Sequence, residues 1–480
     1  MAKKKTDSKK RINVLFASPE VMPFGGTGGL GEVAGSLPRE VNRIRSPKME
    51  CRVIMPLYGS VKEEYRKKMK FLGHTEIPVA WRSQYMGIYE LKKDGVVYYF
   101  VDNEYYFKRD SLYGFGDDCE RFSFFSRAVI ESAALTGFEP DIVHANDWQT
   151  ALAVVFARTL YADKGIKTVF TVHNVEYQGR YGTDVLHDCI GLDEKDSHLL
   201  MHDGDVNLMK GAIECCDKFT TVSPTYAKEL SYPVSAFGLD DVIRDNEYKM
   251  IGILNGIDTV SYDPQNDPFI EAAYSAEKLQ GKKKCKRALQ KALGLPESDA
   301  AMLTMITRLV APKGVDIVAA MIDDLLNSGD MQFVMLGTGD KQYEDYFRQL
   351  QERHPDQVRS LIEFNTATAH KIYAGGDIFI MPSRSEACGL AQMISCRYGN
   401  APVVRLTGGL ADSIHEWDGK KGNGFTFYDF NGQELSYAVH RALDLYGHRN
   451  KWRALVRHIL DEDFSWAKAA KVYHRMYAEL

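Results

Sequence analysis

The chain alternates between short apolar runs, rich in β-branched and aromatic residues, and longer stretches that repeat an apolar residue every third or fourth position. Ile12–Ala17, Cys51–Met55, Val96–Val101, Ile142–His144, Thr168–Val172 and Lys218–Val222 form one series of runs. Met250–Leu254, Met302–Ile306, Gln332–Leu336, Leu361–Phe364, Ile378–Met381 and Val403–Leu406 form a second. Runs that are apolar almost throughout predict strands covered on both faces. Helical periodicity fills the gaps, as over Gly314–Leu326. Strands alternating with helices predict an α/β fold with parallel sheets. The series divides near Asn255-Gly256-Ile257-Asp258, and the polar stretch Asp263–Lys284 reads as an inter-domain linker. The expected architecture is two Rossmann-like domains of similar size facing across a cleft. Its parts are a basic tail (1–11), an N-terminal domain (12–256), a C-terminal domain (257–460) and a final aromatic-rich helix (461–480).

Composition supports this picture. A chain of 480 residues exceeds one ordinary core, and 45% hydrophobic with 26% charged residues excludes disorder as the main state. Sixty Lys and Arg against 65 Asp and Glu leave a net charge of −5, the wrong sign for nonspecific nucleic-acid binding. The N-terminal run Lys3, Lys4, Lys5, Lys9, Lys10 and Arg11 reads as a solvated tail, because Ile12–Ala17 is too short for a signal-peptide core. No window approaches the roughly 20 apolar residues of a membrane span. The eight cysteines contain no Cys-x-x-Cys and suggest neither a disulfide framework nor a metal site, so a reducing cytoplasm and no cofactor are expected.

Candidate chemistry gathers where predicted strands end. Gly26-Thr27-Gly28-Gly29-Leu30-Gly31 fits the glycine pattern of a dinucleotide fold. The turn before it is longer than that fingerprint requires, and the second strand ends in Pro56 instead of an acidic residue. An NAD-dependent oxidoreductase is therefore a remote alternative. A closely similar loop, Thr407-Gly408-Gly409-Leu410, follows a later strand, and Gly337-Thr338-Gly339-Asp340 follows another. Backbone N–H groups at such helix starts favour phosphate. Arg308 and Lys313 flank the end of Met302–Ile306, a planar fork and a point charge suited to a diphosphate. Glu386 lies in Pro382–Leu390, between a strand and a helix, placed either to favour the helix N-terminus or to accept hydrogen bonds from sugar hydroxyls. On the N-terminal side, His144 to Trp148 and His173-Asn174 close two strands, and the segment from Tyr98 to Phe115 is crowded with aromatic rings able to pack a core or stack on sugars.

Taken in order, these stretches resemble the bacterial glycogen synthase and plant starch synthase family. The resemblance is collinear from Val14 to Leu480. It is carried by Ser18-Pro19-Glu20, Thr27–Leu30, His144–Trp148, Phe170–Gly179, Val222-Ser223-Pro224, Ile253–Asp258, Thr307-Arg308 with Lys313-Gly314, Pro382–Leu390 and Thr407–Asp412. It implies a metal-independent, retaining glycosyltransferase of the GT-B fold that extends α-1,4-glucan from ADP-glucose. Its final helix would cross back to the N-terminal domain. By resemblance, Arg308 and Lys313 are phosphate-binding cations, Glu386 the sugar-binding carboxylate, His173 the residue whose backbone carbonyl faces the reacting glucose, and Asp147 an acceptor-side carboxylate. Thr27, Gly28, Gly29, Cys388, Gly389, Leu390, Thr407, Gly408 and Gly409 would line the donor, and Phe364 would stack on adenine. Tyr105, Tyr106, Trp148 and Asn174 would meet the glucan.

Three positions depart from the family pattern. The first loop usually reads Lys-Thr-Gly-Gly-Leu, and here Gly26 takes the place of the lysine that contacts donor phosphates. Glu32 replaces the usual Asp, and Ala387 the usual Pro. The missing cation sets up the alternative of a slow or non-catalytic glucan-binding paralogue.

Overall fold

The computed structural model describes residues 11–329 and 331–480, so the basic tail, apart from Arg11, lies outside the described residues. The chain forms two compact units. One runs up to Gly256 and takes in Trp466–Leu480; the other is Ile257–Ser465.

In the first unit, beside a small sheet of the short strands Arg180–Tyr181, Met201–His202 and Asp205–Asn207, the strands of the main sheet are β1 (Ile12–Ala17), β2 (Met49–Pro56), β3 (Lys70–Val79), β4 (Arg82–Lys93), β5 (Val96–Asp102), β6 (Ile142–Asn146), β7 (Lys167–Val172), β8 (Lys218–Thr221) and β9 (Met250–Gly252). They form one sheet in the order β9-β8-β7-β6-β1-β2-β5-β4-β3. All neighbours are parallel except β5-β4 and β4-β3. Val14 of β1 sits opposite Cys51 on one side and Ile142 on the other, which centres its buried side chains in the sheet. The hairpin β3–β4 was not expected. Few of its residues are fully buried and many are exposed, as on a sheet with a wet face, so neither strand shows the continuous apolar run of a strand buried on both faces.

The second unit contains β10 (Ala301–Ile306), β11 (Met331–Leu336), β12 (Val358–Leu361), β13 (Ile378–Met381), β14 (Ala401–Arg405) and β15 (Phe425–Phe427). Their order, β12-β11-β10-β13-β14-β15, is fully parallel and matches the doubly wound dinucleotide-fold arrangement. In both units strand order reverses beside the first strand, between β1 and β6 and between β10 and β13.

Four expectations are corrected. The strand expected at Leu361–Phe364 lies at Val358–Leu361, where Arg359 and Ser360 hide the apolar pattern, and Phe364 stands in the loop beyond. Asp263–Lys284 is no linker. Tyr274 is buried there and donates to the Tyr398 carbonyl (2.9 Å), while Asp267 holds the His370 ring (2.7 Å) and the Tyr398 hydroxyl. The helical pattern of Gly314–Leu326 is broken into Val315–Ala319 and Ile322–Ser328. Finally, residues 461–465 stay with the second unit, where the Ile257 N–H donates to the Phe464 carbonyl (2.8 Å), and the last helix begins at Trp466.

The helices that matter below are α1 (Gly29–Arg43), α2 (Trp148–Arg158), α3 (Gln280–Ala292), α4 (Arg449–Leu460) and α5 (Trp466–Glu479). Helix α5 buries Trp466, Ala469, Ala470, Tyr473, Met476 and Tyr477, spaced three and four apart so that they form one stripe. The stripe meets the sheet of the first unit at His144. The Nδ1 of His144 shares a 2.6 Å hydrogen bond with the Tyr477 hydroxyl, and its Nε2 a 2.6 Å bond with Thr171 Oγ1. Both rings are sealed from solvent. Tyr477→Phe leaves the His144 Nδ1 buried without a partner, which costs about 1–3 kcal/mol. Denaturant unfolding should show the transition of the first unit at lower denaturant with an unchanged slope; an unmoved midpoint would mean that the bond contributes nothing.

Candidate active site

The two loops that leave β10 and β13 emerge at the reversal of strand order, where an open α/β sheet binds its ligand. The first carries Thr307, Arg308 and a short turn, Ala311–Lys313; the second carries Pro382 to Leu390 and enters the helix Ala391–Arg397. The Lys313 Nζ meets Glu386 Oε2 at 2.6 Å, and the Ser383 hydroxyl donates to the same oxygen (3.0 Å). The side chains of Lys313 and Glu386 are 20% and 12% exposed, so the pair is largely shielded from water yet open on one side. Arg308 is exposed, and its guanidinium has no partner among the described residues. The Ser383 contact was not foreseen; its only sequence signal was its place within Pro382–Leu390.

The loop Thr407–Leu410 is held against this one by backbone. The Gly409 N–H donates to the Glu386 carbonyl (3.1 Å). Gly408 has φ +42°, and a Cβ on it would stand 1.9 Å from the Glu386 carbonyl oxygen; one on Gly409 would stand 2.2 Å from that of Cys388. Glycine is required at both positions. Cys388 is buried, and Gly389 and Leu390 are half-buried at the start of Ala391–Arg397, with the Gln392 amide donating to the Cys388 (3.2 Å) and Gly389 (2.9 Å) carbonyls. Phe364 is 93% exposed, a large ring without cover in its own unit.

In the first unit the reversal lies between β1 and β6. The Glu20 carboxylate, 6% exposed, sits under the first glycine loop. It accepts from the Thr27 N–H (2.6 Å), the Thr27 hydroxyl (2.9 Å), the Gly28 N–H (3.3 Å) and the Tyr113 hydroxyl (2.8 Å). Sequence reasoning singled out Glu20 only as part of a resemblance; an acid placed directly after the first strand was the available signal. A Cβ on Gly28 or Gly29 would meet nothing within 4 Å, so these glycines leave open backbone instead of relieving a protein contact.

Asp147, at φ +56° between β6 and α2, takes the His173 N–H on Oδ1 (2.7 Å) and the Asn174 N–H as well. The His173 ring is fixed by Asn146 Oδ1 (2.9 Å), and its carbonyl accepts no hydrogen bond among the described residues. An unpaired carbonyl on a residue with some access to solvent is available to an outside donor. Asn174 is exposed, with its Oδ1 capping the Glu176 N–H (3.0 Å). Trp148 is half-buried, edge-on to Phe122 (5.3 Å) and Tyr181 (6.1 Å). The two tyrosines expected to meet glucan separate. Tyr105 is 68% exposed, but Tyr106 is sealed in the core with its hydroxyl on Glu120. Neighbours on the one-turn helix Glu104–Phe107 point to different sides, so only Tyr105 remains a stacking candidate.

Among the described residues no three His, Cys, Asp or Glu side chains come close enough to hold a metal ion. Two doubly wound units with this loop chemistry define a glycosyltransferase of the GT-B type. Residues 13–245 match the model of the starch synthase catalytic domain, and residues 286–458 that of group 1 glycosyl transferases. The glycogen synthase of Bacillus cereus is 42% identical over 98% of this chain and all of its own length; that of Geobacillus stearothermophilus is 43% identical over 98% of each chain. The solved catalytic domain of starch synthase IV from Arabidopsis thaliana, bound to ADP and acarbose, superposes with a TM-score of 0.88 at 36% identity over 98% of this chain and 99% of that one. The chain belongs to the glycogen synthase and starch synthase family and is an α-glucan synthase. The oxidoreductase alternative falls with that.

Three perturbed groups of the first unit gather where β6 and β7 end. Burial pushes the His144 imidazole down to about 3, with His173 adding to the effect, and pushes His173 down to about 3 as well. Burial outweighs two N–H donors at Asp147 and raises it to about 7. Between about pH 4 and 6.5 the unfolded chain protonates both histidines, whereas the folded chain protonates only Asp147. Stability of this unit should therefore fall as pH drops through that window. Asp147→Asn should steepen the fall and His173→Gln should flatten it, read by denaturant unfolding at each pH. The reverse order would contradict the assignment.

Proposed function

We propose that the protein transfers glucose from ADP-glucose to the non-reducing end of an α-1,4-glucan with retention of configuration. The observation that carries this reading is the Lys313–Glu386 pair, 2.6 Å apart at the strand-order reversal of the second unit, beside the unpaired cation Arg308. The Arabidopsis relative was solved with ADP and acarbose, which supports an adenine nucleotide and a glucan as ligands. The exposed Phe364 ring suits stacking on adenine.

In the free protein Lys313 and Glu386 satisfy each other. A donor offers each a better-matched partner: the diphosphate draws Lys313 and Arg308, and the sugar hydroxyls donate to Glu386. The N–H groups that begin Gly408–Ser413 and Ala391–Arg397 add favourable dipoles for the phosphates. As the bond between C1 and the phosphate oxygen breaks, that oxygen leaves with the electron pair. Negative charge grows beside fixed cations, which lowers the barrier. The glucan 4-hydroxyl forms the new bond to C1 on the face the diphosphate leaves, and its proton passes to the departing oxygen. On the first unit, Asp147 fixes the turn that leaves the His173 carbonyl open to a hydroxyl donor, and Tyr105, Trp148 and Asn174 serve the acceptor. In this reading side chains meet the diphosphate charge, with no metal or organic cofactor. Eight free cysteines support a reducing cytoplasm as its place, and no described helix is long and apolar enough to cross a membrane.

A second reading, a glucan-binding paralogue with little turnover, rests on Gly26. Incubation with a glucan primer and either ADP-glucose or UDP-glucose, following diphosphate release and primer length together, separates the two. Elongation with ADP-glucose is expected; folded protein that elongates with neither donor would favour the second reading. Arg308→Ala and Lys313→Ala should each lower turnover about 100-fold, the loss of roughly 2–3 kcal/mol of charge-assisted contact. Full turnover in either would remove that residue from the diphosphate. Gly26→Lys should raise turnover. A Cβ there would stand 3.2 Å from the sulfur of Met22, a partly exposed side chain that can shift, and 3.3 Å from Glu20 Oε2 and 3.4 Å from the Gly31 Cα, so the thermal midpoint is read beside turnover to check that the loop keeps its fold.

A further inference from the structure

A cavity of about 540 Å³ in the second unit lies between α3 and α4, away from the loops that leave β10 and β13. Six basic side chains and three acidic ones line it, in a chain whose net charge is −5. The charges are not equally committed. Lys282 is buried, with its Nζ on Asn400 Oδ1 (2.8 Å) and the Tyr398 carbonyl (2.8 Å). Lys286 is bound to Asp377 (2.5 Å) and the Tyr446 hydroxyl (3.0 Å). These two hold the fold together. Lys283 reaches Asp299 (3.2 Å), which Arg287 also takes (2.5 Å). Arg449 lies over the Tyr446 ring (4.4 Å) and donates to the Asp299 carbonyl (3.0 Å).

Arg453 and Arg457 are different. They follow Arg449 at successive four-residue steps, so all three lie along one face of α4. Like charges at that spacing weaken a helix. Both Arg453 and Arg457 are exposed, and neither guanidinium has a hydrogen bond or ion pair among the described residues. The remaining acid, Glu277, is exposed at the rim. Between the cations the floor is apolar, made by the buried Trp452 and Val456. Unpaired arginine forks over an apolar floor, in a cavity the size of a small-molecule site, match a phosphate group carried on a compact organic body.

We infer that this groove binds a small phosphorylated metabolite through Arg453 and Arg457, with Lys283 and Arg449 at its edges. The site is separate from the diphosphate site of the proposed reaction and does not depend on that assignment. Calorimetric titration of the full chain with pyrophosphate at low ionic strength tests it, using three proteins: the unaltered chain, Arg308→Ala with Lys313→Ala, and Arg453→Gln with Arg457→Gln. Glutamine keeps the helix propensity at two exposed positions, and the thermal midpoint checks folding. The groove site should survive in the first double variant and weaken at least tenfold in the second, and Lys283→Gln should weaken it less. Glucan synthesis without added phosphate compounds should be the same in the second variant as in the unaltered chain. An identical isotherm with and without Arg453 and Arg457, or loss of all binding in the Arg308 and Lys313 variant, would overturn the inference.

Discussion

A parallel sheet covered on both faces can be built only with crossovers that return to the same end, so every loop leaving a strand lies on one edge. Where strand order reverses, crossovers depart in opposite directions, and the space between them is left without a helix. That constraint sets where chemistry can sit in each unit. Arg308, Lys313 and Glu386 leave β10 and β13; Glu20, Thr27 and Asp147 leave β1 and β6. Lys313 and Glu386 would not meet had the strands followed any other order, since they are 73 residues apart in sequence and are joined only by the sheet.

The same constraint explains how the site holds its charge before substrate arrives. Placing a carboxylate and an ammonium where water is partly excluded costs desolvation of both, and the cost is offset only when each has a close partner. Lys313 and Glu386 supply each other with one, and Ser383 occupies a further lone pair of the carboxylate. Arg308, on the wetter side, needs no such partner. A ligand that is anionic at one end and a hydrogen-bond donor at the other can replace the pair without leaving either charge stranded. A simple anion satisfies only Lys313 and leaves Glu386 with the Ser383 hydroxyl alone. On the proposed reading, the pairing would favour a phosphorylated polyol over a bare anion.

The legibility of the chain followed this physics. Strands buried on both faces announced themselves as apolar runs, so nearly every parallel strand was readable. The hairpin β3–β4, with one wet face, was not. The strand Val358–Leu361 was misplaced because Arg359 and Ser360 break its run. Tyr105 and Tyr106 are adjacent and chemically alike, and only the turn of a short helix decides that one faces solvent and the other the core. The two Thr-Gly-Gly-Leu loops look equivalent in sequence but differ in cause. Gly408 and Gly409 are forced by carbonyl oxygens within 2.2 Å of a would-be Cβ, whereas Gly28 and Gly29 border open space. Residue type told where chemistry was concentrated; which partner each group takes needed three dimensions.

Gly26 shows why a missing charge need not mean a missing site. In the family the lysine of this loop brings positive charge to the donor phosphates. Here the Thr27 and Gly28 N–H groups are turned to Glu20, so the loop offers a diphosphate neither that cation nor those donors. In the proposed reaction Arg308 and Lys313 meet the charge that grows on the departing diphosphate, while the N–H groups near Gly408 would hold the donor throughout. Contacts shared by ground and transition states support affinity without accelerating the reaction. A cation that meets the leaving oxygen only as its charge develops contributes to rate instead. On the proposed mechanism, the loss of a first-unit cation at Gly26 would lower turnover more than donor affinity, because the second-unit contacts to the donor would remain.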